Sequence, residues 1–253
     1  MTLGILSVVA FLTATLSAVI GMGGGMLLLA ALFAFMPHAS AIPTHACVQL
    51  VSNSTRTLVF LPHVEWPAVG RFLIGVIPGS FIGVAALVLL GDSPRAEPWL
   101  KLLVGAYILG SLAIPARPSG DRRLPGWSFP LLGLAAGAAA FTVGAVGPLI
   151  GPLFARGNFK KEALVATKAV FQSLLHLAKI PTFLLVRSYP NLAELGALTL
   201  AMAIMAVLGT LLGRRLIHRV SERAFLLLYR IALTIAGLKV LIFDGLKPLL
   251  LPG

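Results

Sequence analysis

The sequence predicts an all-α protein that crosses a membrane several times and consists of two four-segment repeats. Of its 253 residues, 58% are hydrophobic and only 11% are charged. Runs without a charged residue cover 72–91, 124–155 and 195–213, and a helix needs about 20 apolar residues to cross a bilayer. A polar pattern in the first half of the chain returns in the second half after a shift of 123 residues.

We expect eight hydrophobic segments, divided equally between an N-terminal repeat at 1–116 and a C-terminal repeat at 127–253. A basic connecting loop at 117–126 separates the two repeats. Trp66, Trp99 and Trp127 stand at the starts of three segments, as the aromatic residues of a membrane interface do. The predicted segments lie near 4–36, 41–62, 67–91, 99–116, 127–155, 162–186, 192–213 and 223–244.

Glycine clusters interrupt the first segment of each repeat. Glycine weakens a helix, and Pro148 in the second cluster removes a backbone donor. Broken backbone at membrane depth requires cover by protein or water, and matching breaks in two halves are typical of transporter binding sites. The glycines concerned are Gly21, Gly23, Gly24 and Gly25 in the first cluster and Gly144 and Gly147 in the second.

Each interrupted segment has three interpretations. We favour a re-entrant hairpin that turns at the glycines, because it places most loop Lys and Arg residues on one side of the membrane. The two repeats are then inverted, and both termini lie outside the cytoplasm. The alternatives are a kinked helix that spans the membrane and glycines that only allow helices to pack closely.

The repeated polar pattern forms a stripe along one face of the second segment of each repeat. Residues four, seven, eight and eleven positions apart share a helix face. Two matched stripes beside two broken segments predict a polar path rather than isolated contacts between helices. The first stripe contains Thr44, His45, Gln49, Asn53 and Arg56, and the second contains Thr167, Lys168, Gln172, His176 and Lys179.

The predicted segments contain cations, whereas all eight acidic residues lie at segment ends or in loops. Because a charge in lipid is costly, buried cations predict a bound or transported anion. The alternative is that the long side chains reach the interface. We favour that alternative for Arg230 and Lys239, and leave it open for Arg56, Lys168 and Lys179.

The remaining composition argues against several functions. The net charge of +12 lies at helix ends and between helices, where it sets topology, so we expect no nucleic-acid partner. No metal-ligand spacing occurs, and we expect neither a metal nor a cofactor. Because the segments lack acidic residues, strong sodium coupling is not expected. A proton role for His45 and His176 remains open.

The chain also resembles a known family. A Gly-x-Gly-Gly-Gly cluster in the first segment precedes a proline and an Ala/Thr-rich second helix, and the pattern repeats after a basic loop and ends in Gly-x-x-x-Gly helices. This arrangement is similar to the TauE/SafE family of sulfite exporters, also called 4-toluene sulfonate uptake permeases. The resemblance implies an inner-membrane carrier for sulfur-containing anions. Val146 replaces a family glycine in the second copy, which makes the two halves unequal.

We therefore expect a secondary transporter, not an enzyme, that exports sulfite, a sulfonate or a related anion across the inner membrane. The expected binding residues are the glycines and both polar stripes given above. A passive anion channel remains an alternative, as does an intramembrane enzyme that acts on an anionic lipid. The expected partners are the small anion and the lipid bilayer, and assembly into a homo-oligomer is left open.

Overall fold

A computed structural model describes residues 2–36, 38–90, 96–113, 125–143, 146–156, 159–186 and 192–250. All regular secondary structure in these ranges is helical. A short 3₁₀ turn follows the third helix, and a π-helical stretch follows the tenth. The elements are α1 (Thr2–Ile20), α2 (Gly24–Phe35), α3 (His38–Val59), the 3₁₀ turn (Leu61–His63), α4 (Trp66–Leu90), α5 (Ala96–Ala113), α6 (Ser128–Val143), α7 (Gly147–Arg156), α8 (Lys161–Val186), α9 (Leu192–Ile217), α10 (Glu222–Leu238), the π-helix (Lys239–Leu246) and α11 (Lys247–Leu250).

The helices form two compact units, and each unit contains helices from both predicted repeats. The first unit consists of Met1–Glu65 with Lys161–Phe225, and the second of Trp66–Lys160 with Leu226–Gly253. Most of the predicted connecting loop at 117–126 lies outside the described residues. The repeat boundaries therefore stay a prediction.

The first predicted segment is broken where the glycines predicted it. Gly21 and Gly23 have φ angles of 78° and 95°, in the left-handed region that glycine adopts without strain. The amide of Gly24 donates to Ser17 Oγ at 3.1 Å, and α2 packs against α1. The chain thus turns back on itself at residues 21–25, which we call the first break. Its first arm, α1, is long and apolar enough to cross a membrane alone.

The core of the first unit lies between α1, α2, α3 and α9. Two glycines of α9, Gly209 and Gly213, bring its backbone against the carbonyl groups of Phe11 and Thr15 in α1. A side chain at either glycine would overlap α1, and small residues at such contacts drive helix association in lipid. The buried apolar residues of this core are Leu6, Ala10, Ala14, Leu28, Leu32, Ala41, Val48, Met202 and Ala206.

The second unit has its own glycine-mediated helix pair. Gly79 and Gly83 of α4 lie against the carbonyl groups of Leu134 and Ala138 in α6. In the same unit, α5 packs against the π-helix, where Gly105 approaches the backbone of Leu241. These close contacts explain why both Gly-x-x-x-Gly pairs stand in apolar sequence without weakening the helices.

Two cations of the second unit behave differently from each other. Arg230 is exposed and donates to the carbonyl of Leu112 at 3.2 Å, which suits the predicted interfacial position. Lys239, in contrast, contacts both carboxylate oxygens of Asp244, at 2.8 and 2.6 Å. Asp244 stands at the end of the last predicted segment, and the π-helical stretch brings it back toward Lys239 as the carboxylate partner of that cation.

The described helices make this a multi-pass membrane protein. Four stretches are long and apolar enough to cross a bilayer, namely Thr2–Ile20, Trp66–Ala86, Lys161–Thr182 and Gly196–Ile217. Large apolar side chains on their surfaces are exposed, including Leu12, Phe81 and Leu200. Such surfaces are favourable against lipid and unfavourable in water.

Candidate functional site

Three cationic side chains are buried in the first unit. Arg56 of α3 and Lys168 and Lys179 of α8 expose 2%, 1% and 1% of their surface. Each of the three is enclosed by the protein rather than exposed at its surface, which does not support the alternative that these side chains extend to the headgroups. A buried charge requires polar or charged groups around it. The other groups of the two stripes provide these surroundings.

The end of α3 holds Arg56 by hydrogen bonds within the helix. Arg56 Nη1 donates to Asn53 Oδ1 at 3.0 Å, and Nη2 donates to Ser52 Oγ at 3.2 Å. Ser52 Oγ also lies 3.5 Å from Thr210 Oγ1 of α9. Within the described part of the chain, Arg56 Nε and Asn53 Nδ2 have no hydrogen-bond partner. Two buried donors therefore remain available at this end of the stripe.

The first break is held by both stripes. Lys168 Nζ donates to the carbonyl of Gly21 at 3.0 Å, and His45 Nε2 donates to the carbonyl of Gly25 at 2.8 Å. The side chain of Gln49 lies beside the same glycine, 3.4 Å from where a Cβ of Gly25 would stand. The sequence predicted that the glycines of the first break would bind an anion. In the structure the Gly24 amide donates to Ser17 Oγ, and the carbonyls of Gly21 and Gly25 accept the hydrogen bonds of Lys168 and His45.

Two histidines meet between the stripes. The rings of His45 and His176 are 5.7 Å apart between centroids and are tilted by 71°. Lys179 lies within electrostatic reach of both rings. His176 Nδ1 has no hydrogen-bond partner among the residues that the structure describes. The histidine pair thus connects α3 with α8. It adds polar ring nitrogens to the cationic centre, by which we mean the buried side chains of Arg56, Lys168 and Lys179.

Acidic residues are scarce in the two helices that carry the stripes. By sequence, α3 contains no Asp or Glu, and α8 contains only Glu162 in its first turn. That carboxylate lies 4.0 Å from Lys161 Nζ and 3.9 Å from His218 Nδ1. Arg56 in turn lies close enough to Lys168 to repel it. The two stripes therefore bring Arg56, Lys168 and Lys179 into one unit with a single acidic residue in their own helices.

Not every predicted residue joins this cluster. The Oγ of Thr167 accepts the amide of Glu65 at 3.0 Å, whereas Thr44 Oγ has no partner in the described ranges. Gln172 is half-buried. Gly144 lies outside the described residues, and Gly147 begins α7 in the second unit. The second glycine cluster is thus not part of the first unit.

Sequence reasoning missed three hydroxyl groups that shape the site. Ser17 holds the break amide, and Ser52 and Thr210 continue the hydrogen bonds of Arg56 toward α9. Ser52 belongs to the stripe face but was not chosen as a binding residue. Thr210 stands alone in an apolar run, where an isolated threonine gives no signal of its partner. Among the described residues, no group of three or more His, Cys, Asp or Glu side chains could hold a metal.

This fold and site define a class of protein, a multi-pass membrane protein with a buried cationic centre beside a broken helix. The family model described as "Sulfite exporter TauE/SafE" matches residues 6–240, and the chain belongs to this family. This membership agrees with the several membrane-spanning helices of the described structure.

One curated relative gives more detail. The chain is 32% identical over 104 residues to the "Probable sulfite/organosulfonate exporter TauE" of Cupriavidus necator. The matched stretch spans only 40% of this chain and 40% of that relative. No solved structure matches the chain.

Proposed function

We propose that the protein is a secondary transporter that exports a small sulfur-containing oxyanion, such as sulfite or a sulfonate, across the inner membrane. The observation that carries this proposal is the burial of Arg56, Lys168 and Lys179 together in one unit beside the first break. Membership of the exporter family and the name of the Cupriavidus relative support the same substrate class.

The charges of the site favour an anion of this kind. A guanidinium and two ammonium groups away from water need negative charge or many acceptor oxygens to offset their desolvation. The hydrogen bonds described for Arg56 go to neutral oxygens of Asn53 and Ser52. An oxyanion would add charge-assisted hydrogen bonds, each stronger than a neutral one.

The proposal includes two repeats related by duplication. The contact of Gly79 with Leu134 corresponds to that of Gly209 with Phe11, because Leu134 follows Phe11 by 123 residues and Gly209 follows Gly79 by 130. The contacts of Gly83 and Gly213 correspond in the same way. These corresponding contacts support a duplicated fold in which each repeat contributes helices to both units. We propose that the repeats are inverted, that the termini lie outside the cytoplasm, and that one half rocks against the other during transport.

Flux into proteoliposomes tests this function. Purified protein should produce saturable uptake of sulfite or methanesulfonate, and Gln172→Ala combined with Lys179→Ala should reduce it on the order of a hundredfold because two polar groups of the path are lost. Arg230→Gln is the matched control, since it removes a positive charge that is exposed in the second unit.

The outcomes separate the functional classes. Saturable flux that the control variant retains supports the carrier. Flux that rises without saturation, at rates far above carrier turnover, would indicate a channel instead. Full flux in the folded double variant would remove Gln172 and Lys179 from the path. The expected binding by the second glycine cluster and the assembly into a homo-oligomer both remain proposals.

A further inference from the structure

The end of α3 presents two hydrogen-bond donors in fixed directions. Because Arg56 Nη1 donates to Asn53 Oδ1, the amide group of Asn53 is oriented with Nδ2 as its remaining donor. Neither Nδ2 nor Arg56 Nε has a partner within the described ranges. Asn53 and Arg56 expose 0% and 2% of their surface. A buried donor without an acceptor costs about 1–3 kcal/mol, and more when it is charged, so these donors point to an absent acceptor.

The hydroxyl groups of Ser52 and Thr210 help to hold the guanidinium of Arg56 at its Nη2 atom. Ser52 Oγ accepts from Arg56 Nη2 at 3.2 Å, so its own hydrogen is free to be donated to Thr210 Oγ1, 3.5 Å away. Ser52 and Thr210 expose 1% and 0% of their surface. The orientation of Arg56 therefore depends on α9 as well as on α3. These contacts hold the Arg56 guanidinium in one orientation, although its side chain is long and flexible.

We propose that Asn53 and Arg56 form a directional donor pair that selects oxyanions over halides, and that Ser52 and Thr210 are its positioning residues. This inference rests on the proposed function, since it concerns the same site. A planar guanidinium and an oriented amide reward an anion that offers several oxygens, whereas a point charge attracts every anion alike. The positive charge of the cluster supplies attraction, and the donor pair supplies selectivity.

Arg56→Lys tests the pair most directly, because it keeps the charge and removes the planar donors. Full-length protein in detergent is titrated with methanesulfonate and, separately, with chloride, and the two dissociation constants are compared. We expect the ratio of chloride to methanesulfonate dissociation constants to fall about tenfold or more, equal to the loss of one charge-assisted hydrogen bond. Asn53→Leu should lower the same ratio.

A second pair of variants tests the positioning residues without changing a charge. Thr210→Val should lower the ratio about three- to tenfold, and Thr210→Ser should restore it because the hydroxyl is kept. Equal ratios in the Val and Ser variants would assign Thr210 to packing alone. If Arg56→Lys does not fold, this pair carries the test.

The results also separate this inference from the proposed function. An unchanged ratio in Arg56→Lys and Asn53→Leu overturns the donor pair, even where flux is normal. Wild-type protein that binds methanesulfonate no better than chloride overturns it as well. Selective binding that depends on Arg56, without flux in proteoliposomes, supports the donor pair and contradicts the transporter.

Discussion

The polar stripes of α3 and α8 occupy equivalent positions in the sequence but make different contacts. At the end of α3, Arg56 bonds to Asn53 and Ser52 of its own helix and leaves donors unused. In α8, Lys168 reaches out of its helix to the carbonyl of Gly21. The end of α3 thus keeps hydrogen-bonding capacity for a ligand, whereas Lys168 of α8 helps to hold the backbone of the first break.

A duplicated position does not fix which backbone it contacts. His45 and Lys168 are equivalent under the shift of 123 residues, but both bond to carbonyls of the first break, at Gly25 and Gly21, although only His45 belongs to the same half of the chain as that break. One break therefore receives a donor from each repeat. The replacement of an imidazole by a longer ammonium side chain changes which backbone atom the position reaches.

The largest expected effect concerns the break that both stripes hold. A Cβ on Gly24 would overlap the carbonyl oxygen of Thr13, whereas one on Gly25 would meet Gln49 at an ordinary 3.4 Å. Gly24→Ala should lower the free energy of unfolding by about 3 kcal/mol, and Gly25→Ala should change it little or raise it, since alanine favours a helix. Thermal unfolding in detergent measures both. Equal stability of the two variants would mean that the first break is not tightly packed against α1.

The next effect distinguishes the two stripes directly. Lys168→Met removes a charged donor from the break, so the hydrogen-bonded amides of Gly21 and Gly24 should exchange with deuterium about 10- to 100-fold faster. Arg56→Met is the matched control, because it also removes a buried cation, but one whose described hydrogen bonds stay outside the break. Hydrogen exchange followed by mass spectrometry reports both variants. Faster exchange at the first break in both variants would contradict the proposal that Lys168 holds the break and Arg56 does not.

Much of the fold could be predicted because lipid imposes simple rules on sequence. Charge-free runs predicted the helices, and the left-handed angles of Gly21 and Gly23 explain why their cluster predicted a break. The presence of helices from both predicted repeats in each unit could not be predicted, because it depends on which helix faces meet. Gly209, for example, marks a close contact in the sequence but does not name Phe11 as its partner.

The candidate site could be predicted as a set of residues but not as a network. Helical periodicity placed Asn53 and Arg56 on one face, and the structure buries both. The sequence could not show that Arg56 would orient the Asn53 amide, or that Thr210 would support Ser52 from another helix. Such hydrogen bonds depend on side-chain rotamers and on tertiary packing, and the spacing of residues in the sequence predicts neither.

The smallest expected effect compares two threonines at equivalent positions. Thr44 and Thr167 expose 2% and 0% of their surface, but only the Oγ of Thr167 has a described partner, the amide of Glu65 at 3.0 Å. Valine has nearly the same shape as threonine and lacks the hydroxyl. Thr167→Val should therefore cost about 1 kcal/mol and leave a backbone amide without its acceptor. Thr44→Val should be neutral or slightly stabilising without ligand, because it removes a buried hydroxyl that has no described bond.

Adding ligand gives a second comparison of the two threonines, which tests whether Thr44 belongs to the binding path. Saturating methanesulfonate should raise the melting temperature of Thr167→Val as much as that of the wild type, since its hydroxyl serves the backbone. The same addition should stabilise Thr44→Val less, because a donor to the anion is missing. Equal stabilisation of both variants would assign the Thr44 hydroxyl to no ligand and would restrict binding on α3 to the end that carries Asn53 and Arg56.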